Sequence, residues 1–299
     1  MTDNALRTRQ GVLFAIAAYT MWGIAPIYFK LLAAVPALEI LSHRIIWSFI
    51  LVFGLVLLTK RFARLQPLLR HGPTMFKLAL ATMLLAGNWF LFIWAVNAER
   101  ILDASLGYFI NPLLNVAIGM AFFSERMRPM QWVAIALAAT AVMVQIISFG
   151  EVPWIALVLA SSFAIYGGIR KRLPVDSITG LWLETLILLP IVLVYMLFFA
   201  HSATTDMSHN NWSLNLLLIA AGVVTTVPLL CFTAAAQRIR YSTLGFFQYI
   251  GPSLMFVLAV WLYNEPLAFD KLVTFAIIWA ALALYSIDTI IFQSRSKRA

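Results

Sequence analysis

Ten apolar runs of roughly twenty residues take up almost the whole chain. They lie at about 10–30, 39–59, 74–97, 102–122, 129–148, 152–169, 177–199, 212–235, 242–262 and 269–291. A helix needs about 20 mainly apolar residues to cross a hydrocarbon core some ~30 Å thick. Inside hydrocarbon every backbone amide must find its partner within the protein, so a run of this kind has to be helical. A closed barrel would show alternating segments of about ten residues, and this chain does not. The expected fold class is an all-α membrane protein with ten transmembrane helices. Composition agrees: 63% of the 299 residues are hydrophobic and 11% are charged, against about 25% charged in a soluble domain. Only 4–10, 60–73, 201–212 and the tail after 291 read as extramembrane polypeptide, so no soluble domain fits.

The formal net charge of +9 would suggest a nucleic-acid partner on a soluble protein. Here the basic residues fall in short clusters between apolar runs, where they orient helices in a bilayer. With a cytoplasmic N-terminus, the inner segments hold Arg7 and Arg9, the group from Lys60 to Lys77, Arg126 and Arg128, Arg170 to Arg172, Arg238 and Arg240, and Arg295 onward. The outer segments hold only Lys30, Arg100 and Lys271. Both termini are therefore expected in the cytoplasm, and no nucleic acid is expected as a partner. The first run contains Trp22, Pro26 and Lys30 and is followed by many others, so it reads as a retained span rather than a signal peptide. The single cysteine, Cys231, excludes an intrachain disulfide, and the four histidines lack zinc-ligand spacing. No metal or cofactor is expected.

The stretch ASLGYFINPLLNVAIGMAFFSE at 104–125 recurs as STLGFFQYIGPSLMFVLAVWLYNE at 242–265. Each copy runs hydroxyl residue, Leu, Gly, aromatic, Phe, and each sets a glutamate thirteen residues after a proline: Pro112 to Glu125 and Pro252 to Glu265. Trp22-Gly23 and Tyr166-Gly167 match in the same way. This points to an internal duplication with units 1–150 and 151–299. An odd number of spans per unit makes the two enter the membrane from opposite sides, the inverted-repeat plan of secondary transporters, whose solute sites lie near the midplane.

The chain resembles the drug/metabolite transporter superfamily, its EamA-type permeases, and most closely the RarD-type proteins. The resemblance covers nearly the whole chain. It is carried by RQGVLFAIAAYTMWGIAPIYFK at 9–30, EILSHRIIWS at 39–48, GNWFLFIWAVN at 87–97, ASLGYFINPL at 104–113, and VVTTVPLLCFTAAA with STLGFFQYIGP within 223–252. It implies a ten-helix permease of the bacterial inner membrane, an exporter.

Polar residues inside the spans are the candidates for function, because each is costly beside lipid. Ser105, Tyr108, Asn111, Asn115 and Gly119 share one face of span 4 at spacings of three and four. That face is either cavity lining or hydrogen-bonding glue between helices. Gln248 and Tyr249 precede Gly251-Pro252 in span 9, Asn88 and Trp89 lie in span 3, and Trp22 and Tyr166 hold matched places. These nine side chains are the expected solute site: Trp22, Asn88, Trp89, Tyr108, Asn111, Asn115, Tyr166, Gln248 and Tyr249. Four ionisable residues are the candidates for intramembrane charge or coupling: Glu39, His43, Arg44 and Glu184. Arg44 can snorkel outward, and Glu39 and His43, one helical turn apart near the same end, can form a small network or a proton-handling pair. Glu184 is the best single candidate for coupling to protons, its alternative being a buried structural carboxyl. Arg44 and Glu184 differ in depth by about 12 Å and are not expected to pair. Glu125 and Glu265 sit at helix ends, where fixing a loop is the simpler role.

The expectation is thus a secondary transporter of a small organic solute in a lipid bilayer, not an enzyme. Its rivals are an intramembrane enzyme, for which no nucleophile with a base, aspartate pair or metal set lies at membrane depth, and a non-transporting scaffold.

Overall fold

The computed structural model describes residues 3–97, 101–149, 153–262 and 269–296. In chain order the helices are α1 (Asp3–Lys30), α2 (Ala37–Leu58), α3 (Phe62–Arg70), α4 (Gly72–Asn97), α5 (Ile101–Phe123) and α6 (Pro129–Phe149). They continue as α7 (Trp154–Arg172), α8 (Ser177–Phe198), α9 (Trp212–Ala236), α10 (Tyr241–Gln248), α11 (Ile250–Trp261) and α12 (Phe269–Ser296). No strand occurs among the described residues. Among the described residues seven helices, α1, α2, α4, α6, α8, α9 and α12, are long and apolar enough to cross a membrane, and α5 adds a shorter apolar stretch, Gly107–Phe123. Their outer faces leave Leu58, Ile147, Leu197 and Phe198 bare. Apolar exposure on this scale calls for lipid as the solvent. Trp154, Trp212 and Trp261 stand exposed at helix ends on the side away from the basic loops, as interfacial anchors do.

Two elements depart from the sequence reading. The run 242–262, expected as one span, is two helices that meet at Tyr249. Pro252 has no N–H to donate to the Gln248 carbonyl, and its ring crowds that carbonyl. The backbone tightens there, with Tyr249 N donating to Phe246 O at 3.3 Å before α11 resumes with Ser253 N to Tyr249 O at 3.1 Å. The segment 60–73, expected as loop, contains α3. Leu65 and Leu68 recur on one face of α3 and pack against the main core, while Arg70 stays in the polar layer. It is a short amphipathic helix at the basic end of the bundle.

Side-chain caps start two of the long helices. Asn211 Oδ1 accepts from Leu214 N at 2.8 Å at the head of α9. Asp176 heads α8, accepting from Thr179 N at 3.2 Å and from Thr179 Oγ1 at 2.7 Å. Arg61, just after α2, also donates to Asp176, at 2.5 Å. Partial burial pushes the Asp176 carboxyl up, but the Thr179 bonds and the Arg61 guanidinium outweigh it and hold the carboxyl below its ordinary value. A depressed folded-state pKa gives stability that is present above the ordinary carboxylate value and lost as pH falls through the folded one. Asp176→Asn is therefore expected to unfold more easily than the parent at neutral pH. The gap between their unfolding midpoints should close below about pH 4. A gap that persists at low pH would remove the charge from this account.

The closest helix pairs all join an element of the first half to one of the second: α5 with α7 and α10, α2 with α8 and α9, α1 with α9 and α11, α4 with α7, and α6 with α12. The halves interleave. Glycines permit two of these approaches. A Cβ on Gly245 would lie 2.8 Å from Pro112 O and 2.8 Å from Asn115 Cβ, and one on Gly222 would lie 2.6 Å from the Trp47 backbone carbon. The main core runs through the middle of this interface, with Tyr19, Val52, Leu85, Tyr166, Phe232 and Tyr241 among its buried members.

Candidate functional site

Between the halves lies a cavity of about 200 Å³, many times the ~30 Å³ that one water occupies in the liquid. It is walled by α1, α4, α5, α7 and α11, with Arg44 from α2, Leu229 from α9 and Gln248 from α10. Trp22, Phe29, Trp89, Phe92, Tyr108 and Phe163 form its aromatic surface. Arg44, Asn88, Asn111 and Gln248 bring polar atoms to it. The lining residues of α1, α2, α4, α5 and α7 come from the parts of those helices away from the basic loops. Toward the basic end an aromatic floor closes the cavity. Phe232 stands 5.8 Å from Trp22, 5.2 Å from Phe163 and 6.1 Å from Tyr166, ring centre to ring centre.

The amides here tie helices together, and Asn88, Asn111 and Gln248 also line the cavity. Asn115 Nδ2 donates to Gln248 Oε1 at 3.0 Å and to Asn111 Oδ1 at 3.2 Å. Asn111 Nδ2 in turn donates to Ala160 O at 2.6 Å. A single chain of hydrogen bonds thus crosses from α10 through α5 to α7. Asn88 Nδ2 reaches α7 as well, donating to Leu159 O at 2.7 Å and Ser162 Oγ at 2.9 Å. The sequence reading set lining against glue; Asn88, Asn111 and Gln248 do both, and Asn115 ties helices from one layer behind.

Arg44 does not snorkel. Its Nε donates to Thr225 Oγ1 at 2.8 Å, and its guanidinium lies 4.8 Å from the Trp89 ring centre and 5.4 Å from that of Phe29. The aromatic faces and the cavity hold the side chain inward, where cation–π attraction replaces the water it would find at the interface. Glu39 and His43 bond neither to Arg44 nor to each other. The Glu39 carboxylate accepts from Ser202 Oγ at 2.8 Å, Thr204 Oγ1 at 3.1 Å and Thr205 Oγ1 at 2.8 Å, which anchors the loop before α9. His43 Nδ1 accepts from Trp47 Nε1 at 3.3 Å.

Of the nine expected site residues, Trp22, Asn88, Trp89, Tyr108, Asn111 and Gln248 line the cavity, and Asn115, Tyr166 and Tyr249 do not. Asn115 is one layer behind, in the amide chain. Tyr249 turns toward α6 and α12, and its hydroxyl donates to Phe109 O at 3.2 Å. Tyr166 lies beneath the floor, where its hydroxyl donates to Glu184 Oε2 at 3.4 Å. Glu184 is also off the cavity. As expected it does not meet Arg44, but it has a partner that the sequence reading placed in a cytoplasmic loop. Arg170 is fully buried in the last turn of α7, with Nε 3.2 Å from Glu184 Oε1. Arg170 follows Tyr166 by four residues, so a helix continuing through Gly167-Gly168 puts both on one face; that spacing was the available signal. Glu265 falls outside the described residues.

A helical bundle with a lipid-facing apolar exterior and a solute-sized interior cavity defines a multi-pass membrane protein of the transporter kind. The chain belongs to the EamA-like transporter family, which matches it twice, at residues 9–147 and 152–287. Protein RarD of Escherichia coli is 56% identical over 295 residues, covering 99% of this chain and 100% of that one. An uncharacterized transporter of Vibrio cholerae is 55% identical over 300 residues, covering 100% and 99%. A more distant relative, the chloramphenicol-sensitive protein RarD of Pseudomonas aeruginosa, is 32% identical over 287 residues, with 94% of each chain covered. One crystal structure superposes with a TM-score of 0.71 at 18% identity, over 93% of this chain and 97% of its own, which speaks to the fold alone. The protein is an EamA-type, RarD-like membrane transporter of the drug/metabolite superfamily.

Proposed function

We propose that the protein is an inner-membrane secondary transporter that exports a small organic metabolite or drug by alternating access. The observation that carries this reading is the cavity, which is solute-sized and walled by helices of both halves. Its solute-site residues are Trp22, Asn88, Trp89, Tyr108, Asn111 and Gln248, supported from behind by Asn115, Tyr166 and Tyr249.

The reading takes α10 and α11 as one crossing and α7 as another, making ten crossings in two inverted repeats, 1–150 and 151–299. Helix packing supports it. Exchanging α1 with α7, α2 with α8, α4 with α9, α5 with α10–α11 and α6 with α12 leaves the pairs α2–α8, α5–α10 and α6–α12 unchanged. The same exchange turns α1–α9 into α4–α7, and α1–α11 into α5–α7. The basic loops support cytoplasmic termini. With that orientation the cavity lies on the periplasmic side of the floor around Phe232, an outward-facing arrangement. The inward-facing state requires the floor to part. Glu184, behind the floor and beside Arg170, is the group whose protonation couples to that movement.

Cysteines placed singly at Asn111, Gln248 and Met255, with Cys231 replaced by serine, test the cycle. A membrane-impermeant thiol reagent should label them in right-side-out vesicles and, more slowly, in inside-out vesicles. Phe90→Cys, on the outer face of α4, should label in neither. Labelling from one side only would mean that the cavity does not alternate.

A further inference from the structure

We infer that the transported solute is an organic monoanion, an aromatic or similarly flat carboxylate whose charged group docks on Arg44. The inference rests on the transporter reading and names its substrate class. Among the described residues Arg44 is the one cation in the cavity wall, and no described carboxylate lines the cavity with it. Thr225 engages Nε and so fixes the plane of the guanidinium. The other two nitrogens make no hydrogen bond to a described residue and are not sealed off in the protein interior. The nearby acids among the described residues are committed elsewhere, Glu39 to the loop hydroxyls and Glu184 to Tyr166 and Arg170.

A charge at membrane depth is expensive, and one without a protein counter-ion marks a functional site whose counter-ion is the ligand. The other side-chain groups on the cavity wall are also suited to an anion. Gln248 has its Oε1 taken by Asn115, which leaves its Nε2 donor for the cavity. The Tyr108 hydroxyl makes no hydrogen bond to a described residue and can donate. An arginine fork with two parallel donors matches a carboxylate edge. With no second cation in the wall among the described residues, a phosphate dianion would keep an uncompensated charge, so the geometry favours a single negative charge. Trp22, Trp89 and Phe163 supply flat apolar faces for the rest of the molecule.

The test is equilibrium binding to the full-length protein in lipid nanodiscs. Radiolabelled phenylacetate is the probe, displaced by unlabelled phenylacetate, phenylacetamide or phenethylamine. Phenylacetate is expected to bind about 10–100-fold more tightly than the amide or the amine. Arg44→Gln should abolish that preference, and Arg44→Lys, which keeps the charge but not the fork, should recover only part of it. The wild-type comparison stands whether or not the variants fold. Equal binding of the three probes, preference for the amine, or no displaceable phenylacetate binding would each overturn the proposal. The vesicle labelling described above does not depend on probe charge. Two-sided labelling without acid preference removes the anion assignment alone, whereas acid preference with one-sided labelling leaves an anion site in a protein that is not a carrier.

Discussion

Glu184→Gln is expected to destabilise the folded protein by about 3–5 kcal/mol, the cost of leaving a buried charge without its partner. Arg170 is fully buried and Glu184 is 1% exposed. Their closest approach is 3.2 Å, but it lacks hydrogen-bond alignment, and all three Arg170 nitrogens are without a hydrogen-bond partner. Coulomb attraction to Glu184 is thus the main compensation this guanidinium has among the described residues. Glutamine keeps the shape of Glu184 and still accepts from the Tyr166 hydroxyl, so packing is unchanged and the loss is that of the charge. The double variant Arg170→Met with Glu184→Leu removes both charges and should recover most of the stability, since apolar replacements of a buried pair are often neutral. Denaturant unfolding in detergent, followed by near-ultraviolet circular dichroism, compares the three proteins. A Glu184→Gln protein as stable as the parent would show that the pair is not held ionised in this state. A folded but destabilised Glu184→Gln protein that keeps pH-driven transport would leave Glu184 structural.

The helices were legible because lipid allows a run of twenty apolar residues few alternatives. Their ends were legible to within a few residues wherever Pro36, Pro153, Asp176 or Asn211 marks a start. The break at Tyr249 was less plain. Pro112 and Pro252 look alike in sequence, yet α5 runs through the first while α10 ends just before the second. The two extra residues between Gly245 and Pro252 are the local difference. The cavity was legible as a set of helix faces but not as a surface. Spacing puts Asn111 and Asn115 on one face, and only packing decides that Asn111 meets the cavity while Asn115 is a layer behind. Arg170 was missed because a basic triplet after an apolar run reads as loop, and a buried arginine is revealed only by the carboxylate that another helix brings to it. Arg44 went the other way. Its depth allowed escape to water, but Thr225, Trp89 and Phe29 come from three distant parts of the chain and were invisible in the local sequence.

Glu125→Ala is expected to cost about 3 kcal/mol and to loosen α10 more than any other helix, because charge-assisted hydrogen bonds contribute ~1.5–3 kcal/mol each and one carboxylate here makes several. The chain leaves α5 through Ser124, whose φ of 52° lies in the left-handed region. Glu125 N then closes back on Gly119 O at 3.1 Å. This turn aims the Glu125 carboxylate at the head of α10. There it accepts from Tyr241 N at 2.6 Å, Ser242 N at 3.0 Å and Ser242 Oγ at 2.6 Å, with Arg240 Nε 3.8 Å away. The residue at the N-cap of α10, Arg240, offers no side-chain cap of its own, so the unpaired amides and positive end of an eight-residue helix are satisfied from the other half of the protein. Glu125→Gln keeps one acceptor and should lose about half as much. Ser124→Gly should be neutral or stabilising by up to ~1 kcal/mol, since it relieves the left-handed strain without touching the carboxylate. Hydrogen–deuterium exchange separates a local cap from a general loss of stability. In Glu125→Ala, exchange at the amides of Tyr241 to Leu244 should accelerate at least tenfold more than in α2 or α8, by the arithmetic of ~1.4 kcal/mol per decade. Because α10 carries Gln248 and the amide chain to Asn115, the same loosening should reach the cavity wall. Uniform acceleration across the bundle, or none at α10, would mean that α10 is held by its packing on Gly245 and α5 rather than by the carboxylate.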